Sequence, residues 1–313
     1  MPNETQGTVT RGVGGLYEVL LPSGTRIVCR AKGVLKRDDH IVKVGDTVSL
    51  QIDESGRGET TLTAVFPRRN DLIRPPLANV SLLLITASVS SPVPSLSTLD
   101  KMTVICRKEH IEPWMVFTKS DLDRGACHAL AEIYRLSGFT VFEVSSQEQK
   151  GTEELKNALL LYLKDGGIAA VTGASGVGKS TLLNRLLPGY DLETGAVSQK
   201  SERGKHTTRK AELYPFAKGF IADTPGFSLL DFLRFDFLDL NDLLPAFPDF
   251  LPYASSCFYP DCSHTKEENC GVLQAVREGR IPASRHETYQ ELFKTLKAKK
   301  EYVYRKKQKT NRI

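Results

Sequence analysis

Residues Gly173-Ala-Ser-Gly-Val-Gly178-Lys179-Ser180 match the phosphate-binding P-loop, and no other stretch constrains the chain as strongly. The apolar run Ile168-Ala-Ala-Val-Thr172 precedes it, so the expected context is strand, glycine-rich loop, helix. Downstream stand Gly204-Lys-His206-Thr207-Thr208 and then Asp223-Thr-Pro-Gly226. Upstream stands Thr118-Lys119-Ser120-Asp121, a base-reading tetrapeptide that most guanine-nucleotide folds carry after the P-loop. A nucleotide site needs loops at the carboxyl ends of neighbouring parallel strands, and chain order is free as long as those ends stay together. The motifs therefore imply a rotated, circularly permuted order of one α/β nucleotide-binding fold.

Each motif supplies a distinct part of a GTP site. Backbone N–H groups of Gly173, Ala174, Ser175, Gly176, Val177 and Gly178 would wrap the phosphates, aided by the helix N-terminus. Lys179 brings charge to the β and γ phosphates, the Ser180 hydroxyl is a magnesium ligand, and Thr181 follows in the same turn. Asp223 ends the strand Phe220-Ile-Ala222 and can hold magnesium, while Gly226 can offer its N–H to the γ-phosphate. Alone, Asp-x-x-Gly also describes common turns; its place after a P-loop gives it meaning. Thr207 is expected to close on magnesium when the γ-phosphate is present, with Thr208 the alternative, and His206 is a candidate for positioning water. The Asp121 carboxylate can accept from guanine N1–H and the 2-amino group, a pair that adenine cannot supply. Thr118, Lys119 and Ser120 belong to the same loop, and Lys119 is expected along the base or against the P-loop. Ser145, at the end of the next strand, is placed to meet guanine O6 through backbone N–H groups. Phe227 follows Gly226 where many GTPases use Gln to orient water, so slow hydrolysis without an activating partner is expected.

The flanks differ in character. Residues 1–68 hold short β-branched runs spaced by Gly, Pro and Asp turns, which predict an all-β barrel; an OB-type barrel fits the strand count, as other small barrels do. Residues 69–230 alternate apolar strands with helices, which predicts a mostly parallel, doubly wound sheet. Helices are expected over 95–110, 125–137, 151–163 and 284–304. Residues 231–313 form a third unit. Within it Cys257-x4-Cys262-x-His264-x5-Cys270 offers three thiolates and an imidazole, the donor set of one structural tetrahedral zinc. Cys29, Cys106 and Cys127 fall in expected strands or helices and read as packing residues. From Lys294 to Arg312 there are nine Lys or Arg and one Glu, a basic tail suited to RNA phosphates when paired with an OB-type barrel. No apolar run reaches the length of a membrane span and the first residues lack a signal peptide, so a cytoplasmic location is expected; a monomer is expected as well.

Taken together, barrel, base-reading loop, P-loop, Gly-Lys-His-Thr-Thr, Asp-Thr-Pro-Gly-Phe and a Cys-Cys-His-Cys cluster resemble the RsgA family of bacterial small-ribosomal-subunit-dependent GTPases. The resemblance spans nearly the whole chain. It implies a GTPase that acts late in maturation of the 30S subunit, contacts 16S rRNA near the decoding region, and hydrolyses GTP under stimulation by the subunit. One departure is Thr118, where many GTPases have Asn; loss of the amide is expected to loosen the tie to the P-loop without changing base choice. The competing readings are an ATP-dependent RNA remodeller and an RNA-binding scaffold whose nucleotide is structural.

Overall fold

In the computed structural model, residues 4–32, 41–52, 60–72, 76–190, 211–223 and 238–310 are described, with side chains to residue 300. The amino-terminal unit is a closed barrel of five strands: β1 (Glu4–Val13), β2 (Leu16–Leu20), β3 (Arg26–Ala31), β4 (Thr47–Gln51) and β5 (Thr61–Val65). Their order is β1-β2-β3-β5-β4, with β3 and β5 parallel and the other neighbours antiparallel, which is the OB arrangement. Gly14 and Gly15 connect β1 to β2 with φ of 60° and 81°, the left-handed pair that a two-residue hairpin turn demands. Alternation along the strands buries Val9, Val19, Cys29, Val48, Leu50 and Leu62 inside.

The segment 67–71, between the barrel and the next unit, is a packed joint. Arg68 sets Nε and Nη2 against the two oxygens of Asp46 at 2.7 and 2.9 Å, and Asp46 is fully buried. The paired β6 (Asp71–Leu72) and β7 (Leu77–Ala78) follow, and Asn79 donates from Nδ2 to Gly45 O at 2.9 Å. The barrel is thereby seated on the next unit.

That unit is a six-stranded sheet of β8 (Leu82–Ser88), β9 (Glu112–Thr118), β10 (Thr140–Val144), β11 (Ile168–Gly173), β12 (Glu212–Phe216) and β13 (Gly219–Asp223). Its order is β10-β9-β8-β11-β13-β12, parallel except for β12 at one edge. Among the described residues four helices cover it: α1 (Leu96–Lys108), α2 (Arg124–Leu136), α3 (Thr152–Tyr162) and α4 (Lys179–Leu186). All seven residues of β8 are buried, and successive side chains alternate between faces. Leu83 and Ile85 join a core with Met102 of α1 and Ala131 of α2. Leu82 and Leu84 join the opposite core, with Leu159 of α3 and Leu183 of α4. This is a doubly wound fold.

The carboxyl-terminal unit is helical: α5 (Leu240–Leu243), α6 (Leu251–Ala254), α7 (Gly271–Arg277) and α8 (Ala283–Thr310). Phe247, Phe250, Val272, Tyr289 and Leu292 form its core, which also takes in Val104 from α1. Among the described residues no helix is long and apolar enough to cross a membrane.

Candidate nucleotide site and metal centre

Strand order reverses between β8 and β11, and in open α/β sheets ligands bind outside the strand ends at such a point. Register aligns the relevant loops there. Gly173 lies opposite Thr86, Ser88 opposite Thr118, and Val144 opposite Thr118, so the loops after β11, β8, β9 and β10 leave the same edge of the sheet. Thr118 and Val177, 59 positions apart in the chain, are thereby brought into contact.

The P-loop joins β11 to α4, with Gly178 at the helix N-cap. Gly173 has φ 150°, and any Cβ there would collide with Thr86 O, so the turn needs glycine. Lys179 folds back over the loop, donating from Nζ to Gly173 O at 2.8 Å and Ala174 O at 2.7 Å. Burial pushes its pKa below the ordinary lysine value, and the nearby Asp223 carboxylate opposes that shift. Ala174, Gly178, Lys179 and Ser180 are half-buried, Ser175, Gly176 and Thr181 exposed, and Val177 buried. Asp223, at the end of β13, stands one strand from the P-loop strand β11. A serine hydroxyl and a carboxylate are the hard oxygen donors that suit magnesium.

The base-reading loop is tied to the P-loop. Thr118 is buried, and its hydroxyl donates to Val177 O, with Ala87 O farther away at 3.2 Å. The link that an Asn amide would make is thus made here by a hydroxyl. Lys119 has φ 56° and donates from Nζ to Ser91 O at 3.1 Å, in the loop after β8 rather than to the P-loop. Ser120 N–H donates to Val144 O at 3.2 Å and holds the half-buried Asp121 beside the end of β10. Ser145 is fully buried; its N–H donates to Lys150 O at 3.0 Å and its Oγ accepts from Glu148 N–H at 3.1 Å. The half-buried Ser146 is the next residue of that loop. His206, Thr207 and Gly226 lie outside the described residues.

The sulfur and nitrogen atoms of Cys257, Cys262, His264 and Cys270 all lie within 4.8 Å of one another. A tetrahedron with Zn–S of about 2.3 Å and Zn–N of about 2.0 Å separates sulfurs by about 3.8 Å and sulfur from nitrogen by about 3.5 Å. The observed Cys257–Cys270 separation is 3.7 Å, and His264 Nδ1 stands 3.4 and 3.5 Å from those two sulfurs. The donor set and its spacing therefore fit zinc, with His264 facing it through Nδ1. The surrounding loop is held independently. Glu267 accepts from Ser263 N–H, Thr265 N–H and Lys266 N–H at 3.0, 3.0 and 3.1 Å, and from the Ser263 hydroxyl. Burial alone would push its carboxyl up, but these bonds outweigh it and hold the pKa at about 2. His286 donates from Nε2 to His264 O at 2.7 Å. Cys270 caps α7, its Sγ accepting from Leu273 N–H at 3.5 Å.

Sequence reasoning missed the buried Arg285 and its partners Asp100 and Asp249. The nearest signal was Asp100 itself, a carboxylate beside the apolar stripe of α1.

Comparison with known proteins agrees with this geometry. The RsgA GTPase family model matches residues 65–233, and the RsgA N-terminal domain model matches residues 6–59. A protein of Ruminiclostridium cellulolyticum named small ribosomal subunit biogenesis GTPase RsgA is 35% identical, covering 96% of both chains. One of the same name from Carboxydothermus hydrogenoformans is 39% identical, over 91% of this chain and 95% of its own. Among solved structures, YjeQ from Thermotoga maritima aligns with a TM-score of 0.77 at 33% identity, over 94% of this chain and 99% of that one. YloQ, described as a circularly permuted GTPase, aligns with a TM-score of 0.74 at 31% identity, over 95% and 96%.

Proposed function

The chain belongs to the RsgA family of circularly permuted GTPases and is a GTP-hydrolysing enzyme, and from that premise we propose that it serves as a GTP-driven checkpoint in late maturation of the small ribosomal subunit. Its relatives carry the name small ribosomal subunit biogenesis GTPase, and the 30S subunit with its 16S rRNA is the partner we assign. The working units are a barrel over 1–68 that binds RNA, the GTPase over 69–230, and a zinc module with basic tail over 231–313. The protein works in the cytoplasm as a monomer.

Residues 173–181 hold the phosphates, with Lys179 neutralising the charge that develops on the β and γ groups. Asp121 accepts from the guanine edge, with Thr118, Lys119 and Ser120 shaping its loop and Ser145 closing the far side through Ser146 N–H. Ser180, Thr207 and Asp223 would hold magnesium, which would supply positive charge to the phosphates. Gly226 N–H meets the γ-phosphate, and His206 is the candidate for positioning water. Zinc at Cys257, Cys262, His264 and Cys270 is structural, since four protein donors leave no position for a substrate.

The observation that supports this reading most is the strand register that gathers the P-loop and the base-reading loop at one edge, joined by the Thr118–Val177 hydrogen bond. An ATP-dependent remodeller and a scaffold with structural nucleotide are not favoured, given the family. GTP turnover with and without purified 30S subunits tests the proposal. Stimulation by the subunit, resisted by excess ATP, is expected. Turnover indifferent to subunits, or equal competition by ATP, would reject it.

A further inference from the structure

Helix α1 faces two ways. Leu99, Met102, Ile105 and Cys106 pack into the GTPase core. At helical spacing, Ser97, Asp100, Lys101, Val104 and Lys108 meet the zinc module instead. Ser97 donates from its hydroxyl to Glu291 at 2.8 Å, and Lys101 pairs with the same carboxylate. Val104 sits in the module's apolar core, and Lys108 reaches Asp242 at 2.8 Å.

The centre of this contact is Arg285 of α8, with a fully buried side chain. Nη1 lies 3.1 Å from both Asp100 Oδ1 and Thr103 Oγ1. Nε and Nη2 reach the two oxygens of Asp249 at 3.1 and 2.8 Å. Thr288 donates from its hydroxyl to the other Asp100 oxygen at 2.9 Å. The guanidinium is flanked by the rings of Phe247 and Phe139, at 4.6 and 5.1 Å from their centroids. One planar fork thus joins a carboxylate of the GTPase to a carboxylate of the zinc module. Sliding the module over α1 would leave charges buried without partners, which is strongly unfavourable. The module and α1 therefore move as one body.

The other end of α1 touches the nucleotide site. Its cap, Ser95, follows a loop whose Pro92, Val93 and Ser95 line a cavity of about 220 Å³ with Ala174 and Val177 of the P-loop. Lys119 of the base-reading loop donates to Ser91 O in the same loop. Both halves of the site therefore bear on the segment that leads into α1. We propose that α1 couples the nucleotide site to the zinc module, with Arg285 the positioning residue that fixes the module to it. This rests on the reading of the P-loop as a GTP site, and it deepens that reading by naming the path. Chain connectivity offers a different path, through residues 224–237. Because coupling is reciprocal, a partner that grips the zinc module changes nucleotide affinity by the factor with which nucleotide changes its grip.

Hydrogen exchange on the zinc-loaded full-length protein, with GDP and with a non-hydrolysable GTP analogue plus magnesium, tests the path. GDP affinity is measured separately on every variant. The wild type should show a nucleotide-dependent difference in peptides from residues 251–300. Arg285→Met should shrink that difference about five-fold or more while GDP affinity stays within about two-fold. At the partly exposed Lys101–Glu291 pair, Lys101→Glu should weaken it and Lys101→Glu with Glu291→Lys should restore it; this pair decides the matter if Arg285→Met fails to fold. A wild-type difference that survives in Arg285→Met and Lys101→Glu assigns the path to 224–237 and overturns the proposal. So does the absence of any difference in a wild type that binds both nucleotides. A wild type that binds no guanine nucleotide would fell the GTP reading itself, and the coupling with it.

Discussion

Replacing Thr118 by Val isolates the bond between the base-reading loop and the P-loop. The side chains are close in volume, and Thr118 is only 3% exposed, so packing changes little while the hydroxyl is lost. That hydroxyl has one proton and two carbonyls within reach, Val177 O and Ala87 O, and Val177 O is the nearer. The substitution removes a net hydrogen bond of about 1 kcal/mol and leaves a buried carbonyl short of a partner, for a total of about 2 kcal/mol. Part of this must appear in binding. A nucleotide spans both loops, and loops no longer registered in the free protein have to be ordered when it binds. If all of it appeared there, GDP affinity would fall about 30-fold; a fall of at least about 5-fold is expected. Titration with a fluorescent GDP analogue measures the binding share, and urea unfolding without nucleotide measures the rest. A variant destabilised by the full amount yet binding GDP within two-fold of wild type would refute the registering role. A variant changed in neither respect would refute the hydrogen bond.

Asp121→Asn should lower GTP affinity about 100-fold, the loss of two hydrogen bonds to a charged acceptor, and favour xanthosine triphosphate; competition binding that still ranks GTP first would count against the base contact. Purified protein should carry about one zinc per chain by elemental analysis, and Cys270→Ser should lose it while a serine hydroxyl still caps α7; full metal content in that variant would exclude Cys270 as a ligand. Asp242 is held below the ordinary carboxylate range by Lys108 and then by the N–H of Asp239, so its contribution is complete above about pH 4 and is lost as pH falls through its folded pKa. Asp242→Asn should accordingly cost about 1 kcal/mol in urea unfolding at pH 7 and much less at pH 3. An equal cost at both values would show that the carboxylate's charge is irrelevant.

What could be read in the sequence, and what could not, divides along a physical line. β8 and β11 stand out as continuous apolar runs because both faces of a central parallel strand are covered. The P-loop and the zinc quartet are legible because their chemistry demands particular residues at fixed spacing. β12 is hidden by Pro215, which a strand tolerates here because β12 lies at the sheet edge. α5 and α6 are four residues each, too short for periodicity to register, although Asp239 and Asp242 form a capping box that marks the first. The polar stripe of α1 is the seat of another module. Nothing local could reveal this, since Asp100 and Arg285 are 185 positions apart and obey no spacing rule. The permutation supplies the reason such a contact is needed. It brings the chain out of the sheet at β13, so the downstream module belongs to no layer of the fold. Its orientation has to be set by packing against a helix that was already there. Residues that read the nucleotide can be recognised one motif at a time, whereas those that decide which way the module faces exist only as pairs.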